Sequence, residues 1–234
     1  MKPKVFAMSA QNGEAEILCY DEIGFNLWTG EGIASKQFAQ DLKSLGDIHT
    51  INLLMNSPGG DVFEGLAIYN TLMNSKAQVN VRIDGLAASI ASVIAMAGDK
   101  ITIAENGSMM IHAAWTLAIG NAADLRKTAD TLDTITQGIV ASYAKRTGMD
   151  AKKITTMMDA ETWMTGQECV DQGFADAVMP CKQGVSAKFA MNAKYRNAPK
   201  ELLASKEDPA ADLLASYPEV EHMRLRLDLM EHAF

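Results

Sequence analysis

The chain has 234 residues, 48% of them hydrophobic and 21% charged, and that apolar fraction can bury enough surface to offset the entropy of ordering, which excludes a largely disordered chain. Its formal net charge of -8 argues against a clustered basic surface for phosphate backbones, so no nucleic-acid partner is expected. The length suits one α/β domain with an appendage better than two full domains.

The N-terminal stretch, MKPKVFAMSAQNGEAE, carries two lysines but no apolar core and no small-residue cleavage site, so a signal peptide is not expected. Short β-rich runs at residues 16–20, 50–55, 78–83 and 100–103 read as strands. Between them, residues 35–45 and 62–73 carry apolar side chains at helical spacing, and residues 122–145 read as a long amphipathic helix. Strand–helix–strand alternation of this kind predicts parallel β-α-β units. The run GLAASIASVIAMAG, residues 85–98, reads as a small apolar helix over 89–97. It is far shorter than the ~20 residues a membrane-spanning helix needs, so a cytoplasmic protein without a membrane partner is expected.

Cys19, Cys169 and Cys181 are odd in number and have no metal-ligand spacing, so neither a disulfide framework nor a zinc site is indicated. No cofactor or metal is expected. No proline lies between Pro58 and Pro180, whereas Pro199, Pro209 and Pro218 cluster near the end. That shift predicts a boundary, with one domain over 1–181 and a C-terminal extension over 182–234.

Chemistry concentrates at a few points. Ser89 opens an apolar helix, where it would serve equally as an N-cap. The segment INLLMNSPGGD is a buried-looking strand running into two glycines and a helix start. His112 ends the apolar stretch SMMIH after a predicted strand, where an α/β protein places site residues. His49, His222 and His232 have polar surroundings and carry no such signal.

NSPGG, GLAASIAS, MIH and ETWMTGQECVDQGFAD occur in the order and near the spacings of one family. The chain resembles the proteolytic subunit of the Clp peptidases from about Gly13 to Met179. The resemblance implies a crotonase-like α/β spiroid of repeated β-β-α units, and a serine endopeptidase. In the family's G-x-A-A-S motif the nucleophile is matched by Ser89, and the M-I-H histidine that acts as base by His112, whose ordinary pKa near ~6.5 suits the task. Gly60, the second glycine of S-P-G-G, and Ile90, the residue after the serine, match the backbone donors of the oxyanion hole. There a missing Cβ would let the backbone approach the substrate carbonyl. The third triad member departs from the pattern: Glu161 aligns with the family's aspartate and is favoured over Asp159, two residues earlier, while a dyad without a close acid stays open.

The family's housekeeping subunits end soon after the strand matched by residues 173–176, whereas this chain continues. Residues 182–200 contain five basic side chains and no acid, and residues 201–234 eight acids against three bases, consistent with a basic tether followed by an acidic amphipathic helix or with a solvated tail. A Clp-like core with such an extension is similar to the phage and prophage branch, implying head maturation with capsid or scaffold proteins as substrates. The alternatives are a housekeeping peptidase chamber fed by an ATP-driven AAA+ unfoldase, a crotonase-type enzyme acting on acyl-CoA thioesters, and a non-catalytic assembly protein. The resemblance also implies a homo-oligomeric ring, with the helix at 122–145 in ring contacts.

Overall fold

The computed structural model describes residues 6–24 and 32–180, together with Tyr195 and Asn197. By internal contacts the chain divides into Met1–Ala187 and Lys188–Phe234; apart from Tyr195 and Asn197, the expected extension over 182–234 lies outside the described residues, as does Cys181.

The first unit is built on one eight-stranded sheet. Its elements are β1 (Phe6–Gln11), β2 (Glu14–Cys19), α1 (Ser35–Ser44), β3 (Thr50–Ser57), α2 (Val62–Met73), β4 (Gln78–Ala88), α3 (Ile90–Ala95), β5 (Lys100–Ala104), β6 (Ser108–Ile111), α4 (Ala122–Thr147), α5 (Ala151–Asp159), β7 (Thr162–Thr165), α6 (Gly166–Asp171) and β8 (Ala177–Met179). The main path runs β1-β2-β3-β4-β5-β8, while β6 pairs with the end of β4 and with β7. β1 is antiparallel to β2, and β2, β3, β4, β5 and β8 are parallel along the path. Parallel neighbours joined through a helix are what the alternating pattern predicts.

Strict alternation fixes which face is inside. Ala15, Ile17 and Cys19 of β2, Ile51, Leu53 and Met55 of β3, Val79, Val81 and Ile83 of β4, and Ile101 and Ile103 of β5 are all buried, with Phe38, Ile68 and Leu72 packed in the same core. Because side chains on a strand alternate with period two, a one-residue slip would turn this whole set to the other face.

Two differences from the sequence reading bear on function. Residues 85–88 belong to β4, not to the approach to a helix: β4 leaves β5 after Ile83 and pairs instead with β6, Leu86 against Ser108 and Ala88 against Met110. The change of partner requires an irregularity, since β4 takes four steps from Ile83 to Ala87 while β3 takes two from Met55 to Ser57. Such a bulge orphans backbone groups, and the Asn56 side chain meets one of them, its Oδ1 accepting from Leu86 N–H at 3.1 Å. Second, α3 begins at Ile90, so Ser89 stands outside it. In α4 the apolar side is buried only towards its C-terminal end, at Ile139, Val140 and Tyr143, whereas Leu125 is 45% exposed. No helix among the described residues is long and apolar enough to cross a membrane.

Candidate active site

The end of β4 and the start of α3 form a sharp turn centred on Ser89, whose φ of 55° and ψ of -129° are rarely adopted by a residue with a side chain. Ser89 N–H donates to Met110 C=O at 2.9 Å, and the serine makes no side-chain capping bond to α3. Its Oγ lies instead 2.7 Å from His112 Nε2. The capping explanation of this serine therefore fails on geometry, and the hydroxyl faces a group able to take its proton.

His112 follows β6 directly, and the backbone after it is held from two sides. Ala113 N–H donates to Met158 C=O at 3.3 Å, and Ala114 N–H to Thr136 Oγ1 of α4 at 3.2 Å.

The S-P-G-G loop lies against the serine from the other direction. At Gly59, φ is +90°, and an added Cβ would come within 2.6 Å of Ala88 O, 2.8 Å of Ser89 Cβ and 3.2 Å of Ile90 N. At Gly60 a Cβ would meet Ile23 O at 1.9 Å. The glycine at 60 is thus required by a neighbouring strand-like segment, a reason different from the approach to substrate expected for it. Ile23 N–H donates to Gly59 C=O and Asp61 N–H to Ile23 C=O, both at 2.8 Å, so this bridge uses the groups flanking Gly60 and leaves the Gly60 N–H out of the ladder. Ile90 N–H heads α3, where a helix offers no acceptor of its own. The loop is further pinned by Ser57, fully buried, which donates to Asp21 C=O at 2.6 Å and accepts from Gly59 N–H at 3.2 Å. Sequence reasoning missed Ser57 because both bonds depend on the folded loop.

The two acid candidates separate. β6 and β7 are antiparallel, with Met110 opposite Trp163 and Ile111 opposite Thr162. The ladder ends at that pair, so His112 and Glu161 each lie one residue beyond its last rung. Glu161 is half-buried, has a φ of 50°, and accepts from Trp163 Nε1–H at 3.3 Å. Asp159 is exposed at the last position of α5 and lines a groove of about 670 Å³ with Ala113, Ala114 and Thr136. The helix start expected after the acid is present as α6, whose capping box joins Thr165 and Glu168.

Among the described residues, thiol chemistry does not compete for the site. Cys19 and Cys169 are buried and unpaired, and burial pushes both thiols up to about 12, with the nearby charges of Asp21 and Glu168 adding to the shift. Among the described residues, a hydroxyl at hydrogen-bond distance from an imidazole can perform acyl transfer: proton abstraction and attack on a carbonyl, with backbone amides that no ladder or helix uses able to donate to the resulting oxyanion.

Comparison with known proteins identifies the family. The family model for Clp protease matches residues 25–182. The chain is similar to the ATP-dependent Clp protease proteolytic subunit of Bacteroides fragilis, 34% identical over 131 residues covering 55% of this chain and 63% of that protein. It is also similar to that of Deinococcus radiodurans, 34% identical over 131 residues covering 55% and 64%, and to that of Ligilactobacillus salivarius, 34% identical over 137 residues covering 58% and 70%. The chain thus spans under two thirds of the length of the first two. It belongs to the Clp protease family, and its mixed α/β sheet is the crotonase-like fold expected of that family.

Proposed function

We propose that this chain is a serine-type endopeptidase subunit in which Ser89 is the nucleophile and His112 the base. The observation that carries the reading is the 2.7 Å contact between Ser89 Oγ and His112 Nε2, made by a serine freed from any capping role. As Oγ attacks the scissile carbonyl, its proton passes to Nε2, and the oxyanion accepts from the N–H groups of Gly60 and Ile90. His112 then gives the proton to the leaving amine, and an acyl-serine remains. Water, deprotonated by the same nitrogen, releases the second product and restores Ser89. Fixed amide donors contribute most here, at ~3 kcal/mol each in comparable hydrolases, because they need no reorganisation as charge develops. Glu161 orients the imidazole and stabilises its protonated form; the β6–β7 register favours it over Asp159.

The subunits act as a homo-oligomeric ring. Trp115, Leu117 and Ile119, which precede α4, are 55%, 86% and 96% exposed, and large apolar side chains exposed at alternate positions of one segment suit cover by a partner. The natural substrates are capsid or scaffold proteins trimmed during phage head assembly, a reading supported by the residues that continue beyond the family match at 182. The relatives' names, which contain "ATP-dependent", favour a second reading in which an AAA+ unfoldase feeds the chamber. Incubating the purified chain with a folded protein substrate, with and without an unfoldase and ATP, tests the two. Cleavage only with the unfoldase and ATP selects the second reading, and cleavage of capsid or scaffold precursors without them selects the first.

A further inference from the structure

Ser92 and Tyr143 form a buried polar pair that the proposed mechanism does not use. Ser92, on α3, is 0% exposed and Tyr143, on α4, 1%. Their hydroxyl oxygens are 2.7 Å apart, and the Tyr143 ring packs edge-on against Phe174 with centroids 5.7 Å apart. Ser92 Oγ also lies 2.5 Å from Ser89 C=O and 3.1 Å from Met110 C=O.

The direction of these bonds follows from counting protons. Two of the three neighbours of Ser92 Oγ are carbonyls, which can only accept, so the single serine proton goes to them and Tyr143 donates to Ser92. Burial drives the Tyr143 phenol well above its ordinary range, which keeps it a donor across the working pH. Ser89 C=O thus receives both the hydroxyl of Ser92 and its N–H, the latter at 3.0 Å.

That carbonyl belongs to the same planar peptide as Ile90 N–H. Holding the oxygen on one side aims the N–H on the other, where the substrate oxyanion would lie. Met110 C=O, the other carbonyl beside the Ser92 hydroxyl, accepts Ser89 N–H and stands two residues before His112.

We infer that Tyr143 and Ser92 are positioning residues acting in series. Tyr143 orients the Ser92 hydroxyl, which fixes the Ser89–Ile90 peptide and ties the nucleophile turn to the strand that carries the base. The inference rests on the peptidase reading above. It adds that α4 reaches the oxyanion site through one hydroxyl pair.

The test uses the full chain and four variants: Ser92→Ala, Tyr143→Phe, the double variant, and Ser89→Ala as control. Ser92→Ala strands a buried phenol and is open to misfolding, whereas the double variant removes both hydroxyls and leaves none stranded. Turnover of a fluorogenic peptide and the rate of fluorophosphonate labelling are measured alongside thermal unfolding. In the double variant kcat and the labelling rate should fall about ten-fold, a fraction of the loss from deleting an oxyanion donor outright, with KM within two-fold and the melting temperature near that of the parent. Tyr143→Phe should lose less than the double variant. If the double variant melts lower but turns over normally when folded, the pair is merely structural and the inference falls. If Ser89→Ala keeps its activity, the peptidase reading falls instead, and the two failures are distinct.

Discussion

The hydroxyl of Ser89 stands where a cap would satisfy the first turn of α3, yet it points at an imidazole, and that displacement is what the proposed nucleophile requires. The backbone there carries a positive φ, which costs of order 1–3 kcal/mol and persists only where the surroundings over-determine it. The surroundings are identifiable: Met110 C=O holds the serine N–H, Ser92 holds its C=O, and Gly59 leaves the space a side chain would fill. Ser89→Ala should leave fold and assembly intact while removing peptide hydrolysis by up to ~10⁶-fold; turnover within a few-fold of the parent would contradict the assignment. For the acid, Glu161→Gln should lower kcat by about 10²- to 10⁴-fold with KM nearly unchanged, and Asp159→Asn should do little. Steady-state kinetics of the two variants decide between them: the reverse pattern transfers the role to Asp159, and no effect from either leaves a dyad. Ser89, His112 and the glycine pair were legible in the sequence because each sits in a short motif. The hydrogen-bonding roles of Ser57, Ser92, Tyr143 and Asn56 were not, since their partners lie 18 to 51 residues away along the chain, apart from a few local bonds, and only the folded sheet brings them together.

Among the elements, helix α2 and the turn before α3 are fitted to each other. A Cβ at Gly65 would stand 2.2 Å from Ile90 Cγ1, so Gly65→Ala should push Ile90 and its amide out of place. Overpacking of this kind costs about 1–3 kcal/mol, only partly offset by the better helix propensity of alanine, and both melting temperature and kcat should fall. Unchanged kcat would show that Ile90 N–H tolerates the shift. Helix α2 also completes α1, whose N-cap, Ala34, makes no side-chain cap: Glu64 accepts from Ser35 N–H at 2.5 Å. Bonds from Ser35 hold the Glu64 carboxyl below its ordinary range, and those from Thr165 do the same for Glu168. A carboxylate with a depressed folded pKa stabilises the fold above its unfolded value, ~4.3, and that contribution is lost as pH falls through the folded value. Melting temperature should therefore drop as pH is lowered past about 4, and Glu168→Gln should remove part of that slope; an unchanged slope would exclude the α6 capping box as a contributor. Helix 62–73 and the strands from 50 and 78 were readable from periodicity alone. Residues 84–88 were not, because a Gly-Ala-rich run has no β propensity of its own, and its strand conformation is imposed by pairing with β6.

At the scale of the whole molecule, composition and the alternating pattern pointed to an α/β domain, and the order of motifs over more than a hundred residues pointed to its family. Assembly was less legible, because residues 115–120 form no regular element and their apolar side chains have significance only through their exposure. If the ring covers them, Leu117→Asp together with Ile119→Asp should reduce the native mass measured by light scattering while the subunit stays folded; an unchanged mass would place the subunit contacts elsewhere. The central claim is that this fold presents Ser89 as an activated nucleophile, and the most direct measurement is the intact mass of the full chain after treatment with a fluorophosphonate, followed by peptide mapping. One adduct per chain on Ser89, absent from Ser89→Ala and strongly slowed in His112→Ala, is the predicted result. No adduct on the folded chain, or an adduct that persists in Ser89→Ala, would contradict it.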